Sequence, residues 1–255
     1  MQSSILDKEK LPNIFALKAG MALRCLGAAR GRSTDYVPHP NDSTILLTKN
    51  ILDLSLIHTP GVKGVHYKGK ISPVFAAVSP ATEGDAFDKI NEDVLELSAP
   101  QFYRRLFQEK SDVRDALIGA RQYHHALKGV WNDLLKSKIH TQTPDFSVHS
   151  RFGSEASYEY RLIDRLHTDN REVVLLAPII NKGARYITGV ASADEAREII
   201  RHQRLPDHCS WEQLEPGDIL VMKEDRYPGN MGGDSLVHQA SALKEGEYRI
   251  SFLYE

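Results

Sequence analysis

The chain predicts an α+β protein made as one domain, 1–255, in which a mainly helical and irregular support region, 1–145, carries a β-rich core, 146–255. Three observations predict it. Val113, Ala116, Leu117, Ala120, Tyr123, Leu127, Val130, Trp131 and Leu134 recur at three- and four-residue intervals behind Ser111, an N-cap residue, so a long amphipathic helix packs one face against a sheet. After about residue 145 the period changes to two, and 158–167 alternates as a strand does. From there to the C-terminus, short apolar runs alternate with turn residues such as Pro216-Gly217-Asp218 and Lys244-Glu245-Gly246-Glu247. A length of 255 residues suits one mixed domain.

In chain order, Ile14 to Ala29 is apolar but broken by Lys18 and Arg24, which predicts an amphipathic helix and excludes a signal peptide or membrane span there. Residues 30–84 read as irregular with short strands, because Pro38, Pro40, Pro60, Pro73 and Pro80 punctuate runs such as Thr44-Ile45-Leu46-Leu47 and 74–78. Phe87, Ile90, Val94 and Leu95 have helical spacing, ended at Ala99-Pro100. His124 and His125 sit inside the long helix, where neighbours point about 100° apart, so the two do not share a metal.

In the β-rich part, a regular strand over 158–167 puts His167 on one face with Arg165, Ile163 and Arg161. Val173 to Ile180, broken only by Pro178, suits a strand covered on both faces, and Ala184 to Val190 suits another. Ser192 and Glu195 have the spacing of a capping box and start a short helix. Ile219 to Met222 follows the Pro216 turn as a strand, and Ser235 to Ala240 and Tyr248 to Tyr254 close the chain as two more. On the last, Ile250, Phe252 and Tyr254 face away from Arg249, giving the strand an apolar side to bury. Gly229-Asn230-Met231-Gly232-Gly233-Asp234 lacks a following Lys-Ser or Lys-Thr and a following helix, so it reads as a loop beside the site and not as a phosphate cradle.

Composition narrows the function. At 41% hydrophobic and 26% charged residues the chain is an ordinary soluble globular protein, and a net charge of −2 with a pI near 6.6 lacks the footprint of a nucleic-acid binder. Cys25 and Cys209 make no disulfide framework, which points to a reducing compartment, the cytoplasm, with no membrane partner.

The chemistry centres on His167-Thr168-Asp169, Val237-His238-Gln239 and Arg249-Ile250-Ser251. His-x-acid alone is weak: 11 histidines and 34 acidic residues in 255 give about 1.5 matches by chance, although His167 supplies the single match. Two imidazoles and a carboxylate hold iron(II) on one face and leave the opposite face open. Arginine is a planar fork suited to a carboxylate, and Ser251, two residues on, shares its side of a strand.

The order His-x-Asp, a long gap, a distal His, then Arg-x-Ser on the last strand resembles the iron(II)- and 2-oxoglutarate-dependent oxygenases, over roughly residues 150–255. The resemblance implies a double-stranded β-helix core (jelly-roll, cupin-like) with supporting helices from the N-terminal half. It implies that His167, Asp169 and His238 bind the metal and that Arg249 and Ser251 bind 2-oxoglutarate. Arg165 and Arg161, on the strand before His167, become candidates for cosubstrate or an anionic substrate group, and pairing with surface carboxylates is an equal reading for each. The implied reaction consumes O2 and 2-oxoglutarate, releases succinate and carbon dioxide, and hydroxylates an unactivated C–H bond. Length and the helical N-terminal half look similar to small bacterial enzymes acting on free amino acids, hydroxylases and halogenases; the halogenases replace the metal carboxylate with Gly or Ala, so Asp169 implies hydroxylation. The expected partner is a small molecule, an amino acid or derivative, with oligomeric state left open and a homodimer among the forms allowed. Two other classes fit the residues: a metal-dependent cupin-type enzyme without 2-oxoglutarate, and a non-catalytic jelly-roll binding module in which His238 is a core histidine and Asp169 a turn cap.

Overall fold

Alternating burial along the strands decides how the layers stack. A computed structural model describes residues 36–69, 126–141, 146–152, 165–230, 235–241 and 248–255, and these form a mixed α+β structure, mostly sheet. The strands are β1 (Tyr36–His39), β2 (Asp42–Thr48), β3 (Gly64–Tyr67), β4 (Phe146–Phe152), β5 (Val173–Ile180), β6 (Ala184–Thr188), β7 (Ser210–Gln213), β8 (Ile219–Lys223), β9 (His238–Ala240) and β10 (Tyr248–Tyr254). They make a seven-stranded sheet in the order β1-β2-β3-β8-β5-β10-β4 and a three-stranded sheet in the order β7-β6-β9. All pairings are antiparallel except β2 with β3. That parallel pair needs a crossover, supplied by the 3₁₀ helix Ile51–His58, whose Asn50 cap accepts from Leu52 N at 3.2 Å.

Odd and even positions of β8 go to different cores. Ile219 and Val221 join Val173, Leu175, Ala177, Phe252 and Tyr254 in a cluster under Leu54, Ile57, Leu127, Trp131, Leu134 and Leu135. Leu220 and Met222 join Ile45 and Val174 on the other face, against Tyr186 of the small sheet and Leu214 and Leu236. The large sheet is therefore covered on both faces, as the run at 173–180 predicts. A side chain on Gly183 would come within 2.7 Å of the Pro178 ring, and the β5–β10 register slips beside Pro178, so this hairpin end packs without room for a Cβ.

The expected strands at Val173–Ile180, 219–222 and 248–254 are present, while those at 184–190 and 235–240 are shorter, Ala184–Thr188 and His238–Ala240. The short strands expected among the prolines are present, with 44–47 inside β2, but 36–67 adds three strands to the large sheet itself and does not stand apart as support, because Ile45, Leu46 and Val65 fill both of its cores. Residues 126–130 are helical, and the helix widens into a π-turn over Trp131–Leu135 that buries Trp131, Leu134 and Leu135 together. Helix α1 (Ala193–His202) starts at Ser192, whose Oγ accepts from Glu195 N at 3.2 Å; the Glu195 carboxylate reaches back to Ala191 N, one residue beyond the expected capping-box partner. The expected helices at 14–29, 87–95 and 111–125, the paired His124 and His125, the strands at 74–78 and 158–164, and the turn at 244–247 lie outside the described residues. Among the described residues no helix is long and apolar enough to cross a membrane.

Candidate metal centre

The centre begins as a backbone pairing. His167 N donates to His238 O and His238 N to His167 O, both at 3.0 Å, in an isolated antiparallel bridge. Residues that exchange both hydrogen bonds project side chains to the same face, so the two imidazoles lie with centroids 4.4 Å apart. The expected regular strand into His167 is absent from 165 onward: only this bridge is paired. Gln203 substitutes for a neighbouring strand, its amide accepting from Leu166 N at 2.8 Å and donating to Leu166 O at 2.9 Å. It sits at the end of α1 with φ +52°, a left-handed cap that turns the side chain toward Leu166.

Each imidazole has Nδ1 against a carbonyl two residues upstream, His167 on Arg165 O at 2.7 Å and His238 on Leu236 O at 3.0 Å. That bond fixes the tautomer and leaves both Nε2 atoms toward Asp169. His167 Nε2 is 3.7 Å from Asp169 Oδ1, and His238 Nε2 is 3.3 Å from Oδ2. One donor atom from each residue lies within 4.8 Å of the others. His238 keeps 5% side-chain exposure against 29% for His167 and Asp169, so the cluster is closed behind and open on one side. A set of two imidazoles and a carboxylate with an open side fits a divalent first-row cation.

The charges agree with a site made for a cation. Burial holds His238 down more strongly than any single effect raises it, but the Asp169 hydrogen bond and the Glu224 and Asp169 charges together carry it up to about 9. Burial alone would raise Asp169; the bond to His238 and the nearby positive charges bring it below its ordinary value. His167 is lowered by burial and by the charge on His238. The surrounding carboxylates thus favour positive charge at His238, beside Asp169.

Asp169 is held by the segment after β8. Its N–H donates to Glu224 Oε2 at 2.7 Å, and its carbonyl accepts from Asp225 N at 3.2 Å. Arg226 N donates to Arg171 O at 2.8 Å, and Arg226 Nε to Asn170 Oδ1 at 2.8 Å. Thr168 Oγ1 donates to Asp225 Oδ2 at 3.2 Å, so Thr168 and Asn170 are spent on the loop. Neither Glu224 nor Gln203 was legible as a site residue: a charged residue after a strand, or a glutamine after a helix, is ordinary turn chemistry.

Arg249 and Ser251 alternate along β10 with Phe252 and Tyr254 of the helix-side cluster, while Leu253 packs toward the inter-sheet core. Arg249 is buried, with Nη1 donating to Ser241 O at 3.0 Å, three residues beyond His238. Ser251 is buried and its Oγ has no hydrogen-bond partner among the described residues. An unsatisfied buried hydroxyl beside a buried guanidinium is the kind of cradle an anionic ligand completes. Arg165 is exposed, and what it gives the site is its carbonyl. Arg161 lies outside the described residues, as do 231–234 of the glycine-rich loop; Asn230 of that loop donates to Glu224 O at 2.9 Å.

Glu195, His208 and Cys209 also bring one donor atom each within 4.8 Å of one another. There the carboxylate is engaged with Ala191 N and with His208 at 2.9 Å, and burial raises the Cys209 thiol, so the group works as a clamp at the start of α1.

No family model matches the chain, and neither does any curated protein. Among solved structures the chain is similar to a dioxygenase for auxin oxidation in rice, at 13% identity over 75% of this chain and 72% of that one, TM-score 0.33. It is similar to the Kdo hydroxylase KdoO, a non-heme Fe(II) alpha-ketoglutarate dependent dioxygenase in complex with cobalt(II), at 8% identity over 75% and 78%, TM-score 0.36. It is similar to AviO1 from Streptomyces viridochromogenes Tue57 at 14% identity over 95% and 83%, TM-score 0.29.

Proposed function

We propose that this chain is an iron(II)- and 2-oxoglutarate-dependent oxygenase that hydroxylates an unactivated C–H bond of a small molecule, with a free amino acid or derivative as substrate class. One observation carries the reading: His167, Asp169 and His238, from distant segments, bring a donor atom each within 4.8 Å, with both Nδ1 atoms turned away onto carbonyls. The two facing sheets, with β9 carrying His238 in one and β10 carrying Arg249 in the other, suit a double-stranded β-helix.

His167 and His238 would hold iron(II) through Nε2 and Asp169 through a carboxylate oxygen. Arg249 and Ser251 would hold the far carboxylate of 2-oxoglutarate, which suits the planar guanidinium fork and meets the Ser251 Oγ that has no partner among the described residues. When bound, the metal and keto acid supply the oxidising chemistry: one atom of O2 ends in succinate, released with carbon dioxide, and the other in the hydroxyl of the product. The protein's residues position and exclude water, and no side chain need move a proton. Substrate would enter on the exposed His167–Asp169 side.

Protein supplied with iron(II), 2-oxoglutarate and a pool of amino acids and related metabolites should release succinate and add one oxygen to one member, found by mass spectrometry. Asp169→Ala should abolish both. Succinate release that persists unchanged in Asp169→Ala would refute the assignment.

A further inference from the structure

Glu224 is fully buried, yet one carboxylate oxygen, Oε1, has no hydrogen-bond partner among the described residues. Such a group is expensive to keep unless something uses it. Its other oxygen takes the Asp169 N–H at 2.7 Å, and Oε1 lies 3.8 Å from His238 Nδ1, behind the ring and away from Nε2. One side chain therefore touches the backbone of one metal-cluster residue and flanks the imidazole of another. Its own backbone is fixed as well: Glu224 N donates to Glu172 O, and Glu224 O accepts from Asn230 Nδ2 at 2.9 Å.

We infer that Glu224 is a positioning residue of the metal centre: it sets the Asp169 loop through the N–H and places a buried carboxyl group behind the His238 imidazole, 3.8 Å from the Nδ1 that is turned onto Leu236 O. Resting on the metal reading above, this assigns a residue that the motif does not contain. Removing an outer partner that holds a metal ligand in place costs about 10- to 100-fold in metal affinity.

The test is cobalt(II) binding to the whole chain without keto acid, followed by titration and by the visible absorption of bound cobalt. Glu224→Gln keeps an oxygen for the Asp169 N–H but removes the carboxylate, and should bind cobalt about 10-fold more weakly while its metal-free form is at least as resistant to urea as wild type. Glu224→Ala removes both and should bind about 100-fold more weakly. A merely structural role would lower the urea midpoint of both variants and leave the cobalt affinity of Glu224→Gln at the wild-type value, which overturns the inference; should Glu224→Ala not fold, Glu224→Gln decides. Wild-type binding that is lost in Asp169→Ala but unchanged in Glu224→Gln sinks this inference alone. Wild type that takes up no cobalt sinks the metal reading and this inference together.

Discussion

Glutamine in place of Glu172 should remove an acid-labile share of the protein's stability, in a calculable way. The Glu172 carboxylate accepts four hydrogen bonds: His140 N at 2.9 Å and His140 Nδ1 at 2.7 Å on one oxygen, Thr141 N and Thr141 Oγ1 at 2.6 Å on the other. Burial by itself would raise its pKa, but these bonds win and bring it from 4.5 down to about 2. At about 1.4 kcal/mol per pKa unit, the charged form contributes about 3 kcal/mol to folding. Because the folded value lies below the unfolded one, that stability is complete above about pH 4.5 and is lost as pH falls through about 2. Glu172→Gln offers the same shape without the charge, so urea unfolding should separate it from wild type by about 3 kcal/mol at pH 7 and by about half of that at pH 3. A gap as large at pH 3 as at pH 7, or one under about 1 kcal/mol at pH 7, would refute the clamp. Its place matters, since Glu172 O also accepts from Glu224 N, tying 140–141 to the segment that holds Asp169.

Other outcomes follow from single contacts. Ser251→Ala removes a buried hydroxyl that has no partner among the described residues, so it should leave the urea midpoint unchanged or raise it, while 2-oxoglutarate binding to the cobalt-loaded protein, followed by calorimetry, weakens about 10-fold. Gln203→Ala strips both backbone bonds from Leu166 and should cost about 1–3 kcal/mol in urea together with a loss of cobalt affinity. Phe252→Ala opens the helix-side core and should cost about 3–5 kcal/mol by the same measurement, with cobalt affinity in the folded fraction unchanged.

How much of this was legible in the sequence differs by residue. Residues 173–180 and 219–222 show their strands because short apolar runs leave little else for them to do, and 248–254 because Ile250, Phe252 and Tyr254 alternate with Arg249 and Ser251. The grouping of His167, Asp169 and His238 could be posed from spacing, since residue types carry the chemistry of a site. The path into His167 could not: alternation at 158–167 argues for a strand, whereas at 165–167 tertiary contacts from Gln203 satisfy the backbone instead. Short strands within 36–67 were legible between the prolines, as at 44–47, but their joining of the large sheet was not; Pro38 sits in the edge strand β1, where a missing N–H is tolerated. Glu224 was invisible because its role depends on what surrounds it in space, and a Lys-Glu pair after a strand carries no such information.

The most direct test of the central claim is anaerobic addition of iron(II) and then 2-oxoglutarate, watched in the visible. A metal held by His167, Asp169 and His238 with keto acid seated on Arg249 and Ser251 predicts a weak charge-transfer band that appears only when both are present and is lost in His238→Ala. Iron uptake without that band, or a band undiminished in His238→Ala, would contradict it.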